Sequence, residues 1–388
     1  MNLDKFEVRL SVDTKSTSNY QDITDIVKSI SIKESIHGDL SGSMYCLDGA
    51  GVLDSLIGTN NAVVIKYTYY GKLISNSFYL DGVKDVRFDT GFKEYNIKLG
   101  SLNSLVNANV SISKVYNGLS SDILSQLHSD VYGKNTSLKV LSPSKTSGKY
   151  IAPNINPKTI ERLILLNSYG ENESPMFLFQ KLVDGGITTL ECSDNMEKKD
   201  NFWVITTKAD EKLASESKLA PLGIAKSIRV DKQYHSNIKA TNDGLYGKTL
   251  NTYDIENTTF KEVMVGETPL AMTTNRTYRK NLYEEGDEPL LNNFEINTDN
   301  TKEIGLLNNV ELTMLRRVHL FAIKIRAIGM SAVPMLSVGN CVYVDIQETK
   351  EGANHIHKGK YLVAGITHSI SLSEKFYFYT QDLELVRR

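Results

Sequence analysis

Strict alternation of apolar and polar side chains opens the chain. Phe6, Val8, Leu10 and Val12 are interleaved with Glu7, Arg9, Ser11 and Asp13. Successive side chains of a strand point to opposite faces, so a period of two predicts a strand with one buried face. Ile30 and Ile32, set between Ser29, Ser31 and Lys33, repeat the pattern. Ile65, Tyr67 and Tyr69 follow, then strands around 78–88 and 95–99, with Asp89-Thr90-Gly91 as the turn between the last pair. Short strands at this spacing predict a small barrel or sandwich over residues 1–103.

From about Ser101 the period changes. Ile123, Leu124 and Leu127 line one side of a predicted helix over 120–128. Asn156-Pro157 reads as a helix start, because Asn caps free N–H groups and Pro suits the first helical position. Ile160, Leu163, Ile164 and Asn167 then recur at helical spacing. Pro175-Met-Phe-Leu-Phe-Gln is a candidate buried strand, and Asp184-Gly185-Gly186 turns the chain into another over 187–191. Residues 104–220 are therefore expected to form a mixed α/β domain. Alternation resumes near Ile224–Val230, the expected start of a second barrel over 221–256. The polar stretch 257–300, with the acidic turn Glu284–Pro289, is expected as a loop-rich part of the middle domain. Residues 301–388 are expected to supply a helix over 302–318 and the rest of the second barrel. In the helix-to-strand passage, Phe321, Ile323 and Ile325 alternate with Ala322, Lys324 and Arg326, placing Lys324 and Arg326 on the face away from the barrel core.

The two β-rich blocks resemble each other. Phe78-Tyr-Leu-Asp-Gly-Val83 resembles Lys360-Tyr-Leu-Val-Ala-Gly-Ile366, and after a polar turn in each block Tyr95–Leu99 resembles Phe376–Tyr379. Upstream, 29–33 matches 322–326, and 58–67 matches 339–346. Matched segments in the same order predict a duplicated barrel. The expected fold class is mainly β with an α+β insertion: two similar tube-type antiparallel β-barrels plus a mixed α/β middle domain.

A length of 388 residues favours several cores over one. The 44 Lys and Arg nearly balance 46 Asp and Glu, which removes the basic excess typical of a nucleic-acid binder. Cys46, Cys192 and Cys341 lie far apart in an odd count, which fits thiols kept reduced in a cytoplasm. The N-terminus carries charges where a secretion signal needs an apolar stretch, and no run reaches transmembrane length. The Asn-x-Ser/Thr sites at Asn109, Asn135, Asn172, Asn257 and Asn275 are then incidental to an Asn- and Ser-rich chain.

Catalytic signatures are missing. The sequence holds no phosphate-binding Gly-x4-Gly-Lys-Ser/Thr, no dinucleotide fingerprint, no Gly-x-Ser-x-Gly elbow and no His-Glu-x-x-His. His355 and His357 share a face if extended, with His368 within reach across a hairpin. A metal wants three or four ligands, so an exposed turn is the plainer reading. The acids of 284–288 sit in a polar turn where nothing raises their pKa, as a sugar-cleaving acid would need. No catalytic residue, cofactor or metal is expected.

Three stretches carry a resemblance. They are Pro153–Leu163 followed by Pro175–Glu191, then Gly244-Leu-Tyr-Gly-Lys-Thr-Leu-Asn-Thr-Tyr-Asp-Ile, and Ser31-Ile-Lys-Glu-Ser-Ile-His-Gly-Asp-Leu-Ser-Gly-Ser-Met. Together with length and domain order, they resemble the central hub of contractile phage-tail baseplates, T-even type. The second stretch is similar to a segment entering those proteins' second barrel. The resemblance implies a homotrimeric structural ring that adapts a six-fold tail tube to a three-fold spike and surrounds the DNA channel. It implies as partners a separate spike, a tail tube or tube-initiator protein and other baseplate proteins. Genomic DNA would be passing cargo only, with no membrane insertion and with assembly in the host cytoplasm. Since the chain ends at Arg388, after its last strand, a fused spike module like that of related type VI secretion proteins is not expected. Lys324 and Arg326 are then candidates to face the channel or a subunit contact. The alternative is a tail-associated cell-wall hydrolase or glycan-binding protein, which a peptidoglycan zymogram separates from a hub.

Overall fold

A computed structural model describes residues 3, 5–11, 20–56, 61–133, 138–207, 222–233, 248–254, 259–265, 292–297, 313, 316–317, 320–321, 323–331, 335–346, 357–373 and 376–387. The acidic turn 284–289, His235, His355 and most of the expected helix 302–318 lie outside them, although Thr313, Arg316, Arg317 and Leu320 are helical.

The alternating segments at the start form β1 (Lys5–Ser11), β2 (Tyr20–Asp22), β3 (Val27–Ser35), β4 (Ser41–Asp48), β5 (Ala62–Tyr69), β6 (Lys72–Asp89) and β7 (Phe92–Gly100), with short helix α1 (Val52–Leu56) between β4 and β5. They pair in the order β3-β4-β7-β6-β5-β1-β2. Only Ile23 and a 3-10 turn separate β2 from β3, so the sheet closes on itself. Val8, Leu10, Ile30, Ile32, Met44, Ile65, Tyr67, Phe78 and Ile97 fill the interior at 2 % exposure or less. Each sits at an inward position of its strand, as the period of two requires.

Helix α2 (Leu102–Asn109) leaves the barrel with Ser101 as its cap. The middle domain follows: β8 (Ile112–Leu119), α3 (Ser120–Tyr132), β9 (Lys139–Val140), β10 (Ser147–Ile155), α4 (Pro157–Leu166), β11 (Met176–Gln180), β12 (Thr188–Cys192) and α5 (Ser193–Lys198). Asn156 caps α4 by accepting from Lys158 N at 2.8 Å, with Pro157 in the first turn. Strand β11 is buried on both faces. Met176 and Leu178 enter the middle-domain core, whereas Phe177 and Phe179 enter the core of the second barrel. That explains a run with no polar alternation.

The second barrel uses β13 (Asn201–Thr206), β14 (Leu222–Ile224) and β15 (Ser227–Gln233), followed by a separate sheet of β16 (Lys248–Asp254), β17 (Thr259–Val265) and β18 (Asn292–Asn297). It resumes with β19 (Ile323–Ser331), β20 (Cys341–Asp345), β21 (Gly359–Ser373) and β22 (Phe376–Arg387). The order is β15-β19-β22-β21-β20-β13-β14. Ala225 N bonds Thr206 O and Lys226 N bonds Ile328 O, so β14 runs into β15 and this sheet closes too.

Strand for strand, the blocks correspond: β1 to β13, β2 to β14, β3 to β15, β4 to β19, β5 to β20, β6 to β21 and β7 to β22. One direction differs. β1 is antiparallel to β5 and β2, whereas β13 is parallel to β20 and β14, so the second barrel is not wholly antiparallel.

Four sequence readings need correction. Residues 95–99 correspond, through their partners in β6 and β21, to 381–385 and not to 376–379, because a strand pattern alone does not count the residues of the turn before it. Residues 29–33 correspond by topology to 227–232, Ser-Ile-Arg-Val-Asp-Lys, and not to 322–326, which form part of the next strand over. Alternation alone does not distinguish adjacent strands of one sheet. Residues 248–254, expected inside the second barrel, pair only with β17 and β18. Residues 201–206, read with the middle domain, pair with β20 and belong to the second barrel.

Candidate assembly surfaces

One seam joins the barrels, and β21 makes it by changing partners. Its residues 359–362 pair with β20, and its residues 365–371 pair with β3 of the first barrel. A bulge between Val363 and Gly365 separates the two halves. Bulges bend a strand and increase its twist, which lets one strand serve two barrels. Gly365 lies close against the seam, where an added Cβ would come within 3.3 Å of Glu384 Cβ.

β6 has the same bulge, between Leu80 and Gly82, and the same change of course. Its residues 72–79 pair with β5, but beyond the bulge only β7 accompanies it. The outer edge over 82–89 has no partner among the described residues, and neither has the outer edge of β15, which pairs with β19 alone. Both are apolar for exposed strands: Val86 is 38 %, Phe88 76 % and Val230 41 % exposed. Open, apolar edges of this kind invite another strand.

A buried polar cluster fixes the seam from inside. Glu34, the inward residue of β3 after Ile30 and Ile32, is fully buried. Its Oε1 accepts from Leu182 N at 2.7 Å and its Oε2 from Val338 N at 3.1 Å, which ties the first barrel to the middle domain and to the second barrel. His368 Nε2 lies 3.3 Å from Glu34 Oε1, and its Nδ1 lies 2.6 Å from Tyr379 Oη, a hydroxyl whose oxygen accepts from Gln381 Nε2 at 3.2 Å. His368 is thus a seam residue and not a neighbour of His357. His357 is itself buried, contrary to the exposed turn expected, and its carbonyl accepts from Tyr361 Oη at 2.9 Å.

A second cluster docks the middle domain. Glu161 is buried with Oε1 3.2 Å from His128 Nε2, and Lys158 Nζ lies 3.4 Å from its Oε2 and 3.1 Å from Asp39 Oδ2 in the β3–β4 turn. Tyr132 Oη also donates to Glu161 Oε1. Burial alone would raise the Glu161 carboxyl, but the His128 hydrogen bond and the Lys158 charge outweigh it and hold the group below its ordinary value. A depressed carboxyl stabilises fully above the unfolded-state pKa and loses that contribution as pH falls through the folded one. Glu161→Gln is therefore expected to melt below wild type at pH 7, with the gap closing as pH drops beneath about 4.5, the ordinary carboxylate value. Thermal melts of both proteins across that range check it, and a pH-independent gap would be the contrary result.

Lys324 and Arg326 face outward, as the alternation requires, while Ile325 between them is fully buried. Lys324 Nζ lies 2.5 Å from Glu384 Oε1, and Arg326 Nη2 lies 2.7 Å from Asp231 Oδ2, an acid carried by the open-edged β15. Sequence reasoning missed Glu34, and it considered His368 only as a third metal ligand beside His355 and His357. The available signal was a charged or titratable residue at an inward position, after Ile30 and Ile32 in one case and between Ile366 and Ile370 in the other. Among the described residues no group of three or more His, Cys, Asp and Glu is placed to hold a metal ion, and no helix is long and apolar enough to cross a membrane.

No family model and no curated protein sequence matches the chain. Solved structures do. A tail protein from Neisseria meningitidis MC58 superposes with a TM-score of 0.62 at 9% identity, covering 98% of this chain and 96% of its own. The 43 kDa tail protein of prophage MuSo2 from Shewanella oneidensis gives 0.61 at 11% identity, covering 99% and 98%. A Francisella PdpA-VgrG complex gives 0.53 at 9% identity, covering 99% of this chain but 58% of that one. The chain shares its fold with the two tail proteins over nearly the whole of their length.

Proposed function

We propose that the chain is a structural hub of a phage-type tail baseplate. Three copies form a ring of six barrels around a channel for DNA, joining a six-fold tail tube to a three-fold central spike. The observation that carries this is the strand-for-strand correspondence of the two barrels in one chain. A three-fold object meets a six-fold one when each of its subunits offers two equivalent modules, and heterologous contacts then close the ring. The middle domain and the β16–β18 sheet interrupt the repeat, so they are the parts that keep three-fold symmetry and face the spike. The fold shared with two tail proteins over nearly their whole length supports the placement in a tail, and the likeness to a VgrG complex supports a spike as partner. Lys324 and Arg326 lie on the outward barrel surface available to the channel or to a neighbouring chain. The role is assembly, with no chemical step.

Light scattering of the purified chain is expected to give three times the chain mass, with six similar lobes in end-on images. A monomer at tens of micromolar, or a ring of another copy number, would overturn the reading.

A further inference from the structure

We infer that the contact between chains is made by strand addition: β15 of one chain pairs with residues 85–89 of β6 in the next. The pairing copies the β3–β21 seam inside each chain, with Val86 opposite Val230 and Phe88 opposite Ile228. The inference rests on the ring reading and names the surface that closes it.

The register follows from the correspondence of the barrels. The shared bulge aligns Gly82 with Gly365 and Val83 with Ile366. β6 has one further bulge, between Val83 and Asp85, so Asp85 aligns with Thr367 and Val86, Arg87, Phe88 and Asp89 align with 368–371. On the other side, Ser29, Ile30, Ser31 and Ile32 align with Ser227, Ile228, Arg229 and Val230 through their partners in β4 and β19. Within the chain, His368 pairs with Ile32, Ser369 with Ser31, Ile370 with Ile30 and Ser371 with Ser29. Carried across, these pairs become Val86–Val230, Arg87–Arg229, Phe88–Ile228 and Asp89–Ser227.

Nothing in that transfer looks at hydrophobicity, yet it places the exposed apolar residues of the two open edges against each other. The seam inside the chain shows what their burial accomplishes. Ile370 and His368 of β21 turn inward beneath β3, and Ile370 joins the core of the first barrel at 1 % exposure. Phe88 is the counterpart of Ile370, and its 76 % exposure is that of a core residue whose barrel belongs to the next chain. Ile228, only partly buried against the second core, marks where it would enter. On the outward face Arg87 meets Arg229, but each guanidinium has an acid on its own strand, Asp85 at 3.2 Å and Asp231 at 3.2 Å. Those acids, with Asp89, are diagonal neighbours of the opposite arginine in this register.

Paired cysteines test it. The native Cys46, Cys192 and Cys341 are buried and free, so engineered edge thiols react alone. A chain carrying both Val86→Cys and Val230→Cys is expected to oxidise to a covalent trimer on a non-reducing gel, because facing strand residues lie within disulfide reach. Phe88→Cys with Ile228→Cys is expected to do the same. Either single cysteine, or Val86→Cys combined with Arg326→Cys on the adjacent strand, is expected to remain uncrosslinked. Phe88→Asp is expected to lose the trimer peak while its far-UV spectrum stays that of wild type, since the residue is exposed in the isolated chain. A trimer by light scattering in which neither cysteine pair crosslinks, or a Phe88→Asp protein that stays trimeric, would overturn this seam and leave the ring standing. A wild-type monomer would remove the ring itself.

Discussion

Glu34→Ala is expected to cost about 3–5 kcal/mol and to loosen all three units of the chain at once. The carboxylate is fully buried and accepts from two backbone N–H groups, Leu182 of the middle domain and Val338 of the second barrel. Alanine leaves both donors without an acceptor in a place water does not reach, and each such group costs about 1–3 kcal/mol. It also removes the acid beside buried His368. Glu34→Gln keeps the shape but offers one acceptor where two are needed and turns an amide N–H₂ toward a donor, so it is expected to lie between alanine and wild type. His368→Phe alone should cost less, because Tyr379 keeps its Gln381 partner and Glu34 keeps both backbone donors. In the double variant the costs should not add, as expected for residues of one network. Urea midpoints of the four variants and wild type give the comparison. A Glu34→Ala midpoint within error of wild type would show that the seam does not depend on this carboxylate.

How much of this was legible in sequence varies from strand to strand. Alternation placed β1, β3, β5, β7 and β6 as far as Leu80 because each has one face in a core and one in solvent, the condition under which a period of two is visible. It placed β11 for the opposite reason, an apolar run meaning burial on both sides. The matching of 78–83 with 360–366 held at the bulge glycine, since a strand that must change partners needs the same irregularity in both barrels, whereas 95–99 falls on 381–385 and not on 376–379. The matching of 29–33 with 322–326 failed because β15 and β19 are neighbours that share one core and so show one pattern. β13 was assigned to the wrong unit because a short strand does not announce its partner, and its parallel pairing leaves no local mark. The seam itself was the least legible part. Sequence showed Val86 and Phe88 only as part of a strand before a turn, and it takes the topology to show that no core among the described residues receives them.

Ile325→Asp is expected to abolish the second barrel, whereas Arg326→Ala next to it leaves the fold intact. Ile325 is fully buried, lies between Val230 of β15 and Leu385 of β22, and belongs to the core shared with Leu383, Val342 and Ala327. A carboxylate at that position meets no cation and no donor, and the loss exceeds about 4 kcal/mol once the lost apolar burial is included. Since β22 also runs beside β21, which holds the first barrel through β3, the damage is expected to spread across the seam and leave insoluble chain. Arg326 projects from the other face of the same strand. Its side chain is 47% exposed and its contact is an ion pair with Asp231, worth no more than about 1 kcal/mol. Asp231 keeps Arg229 as a partner after the change, so no buried charge is stranded. Soluble yield and far-UV spectra separate the two outcomes directly. A soluble, folded Ile325→Asp protein would mean that the strand faces the other way, which would also move Lys324 and Arg326 into the core and undo the assignment of both to the outer surface. One substitution therefore tests the register of the whole strand, because a slip of one residue exchanges its faces completely.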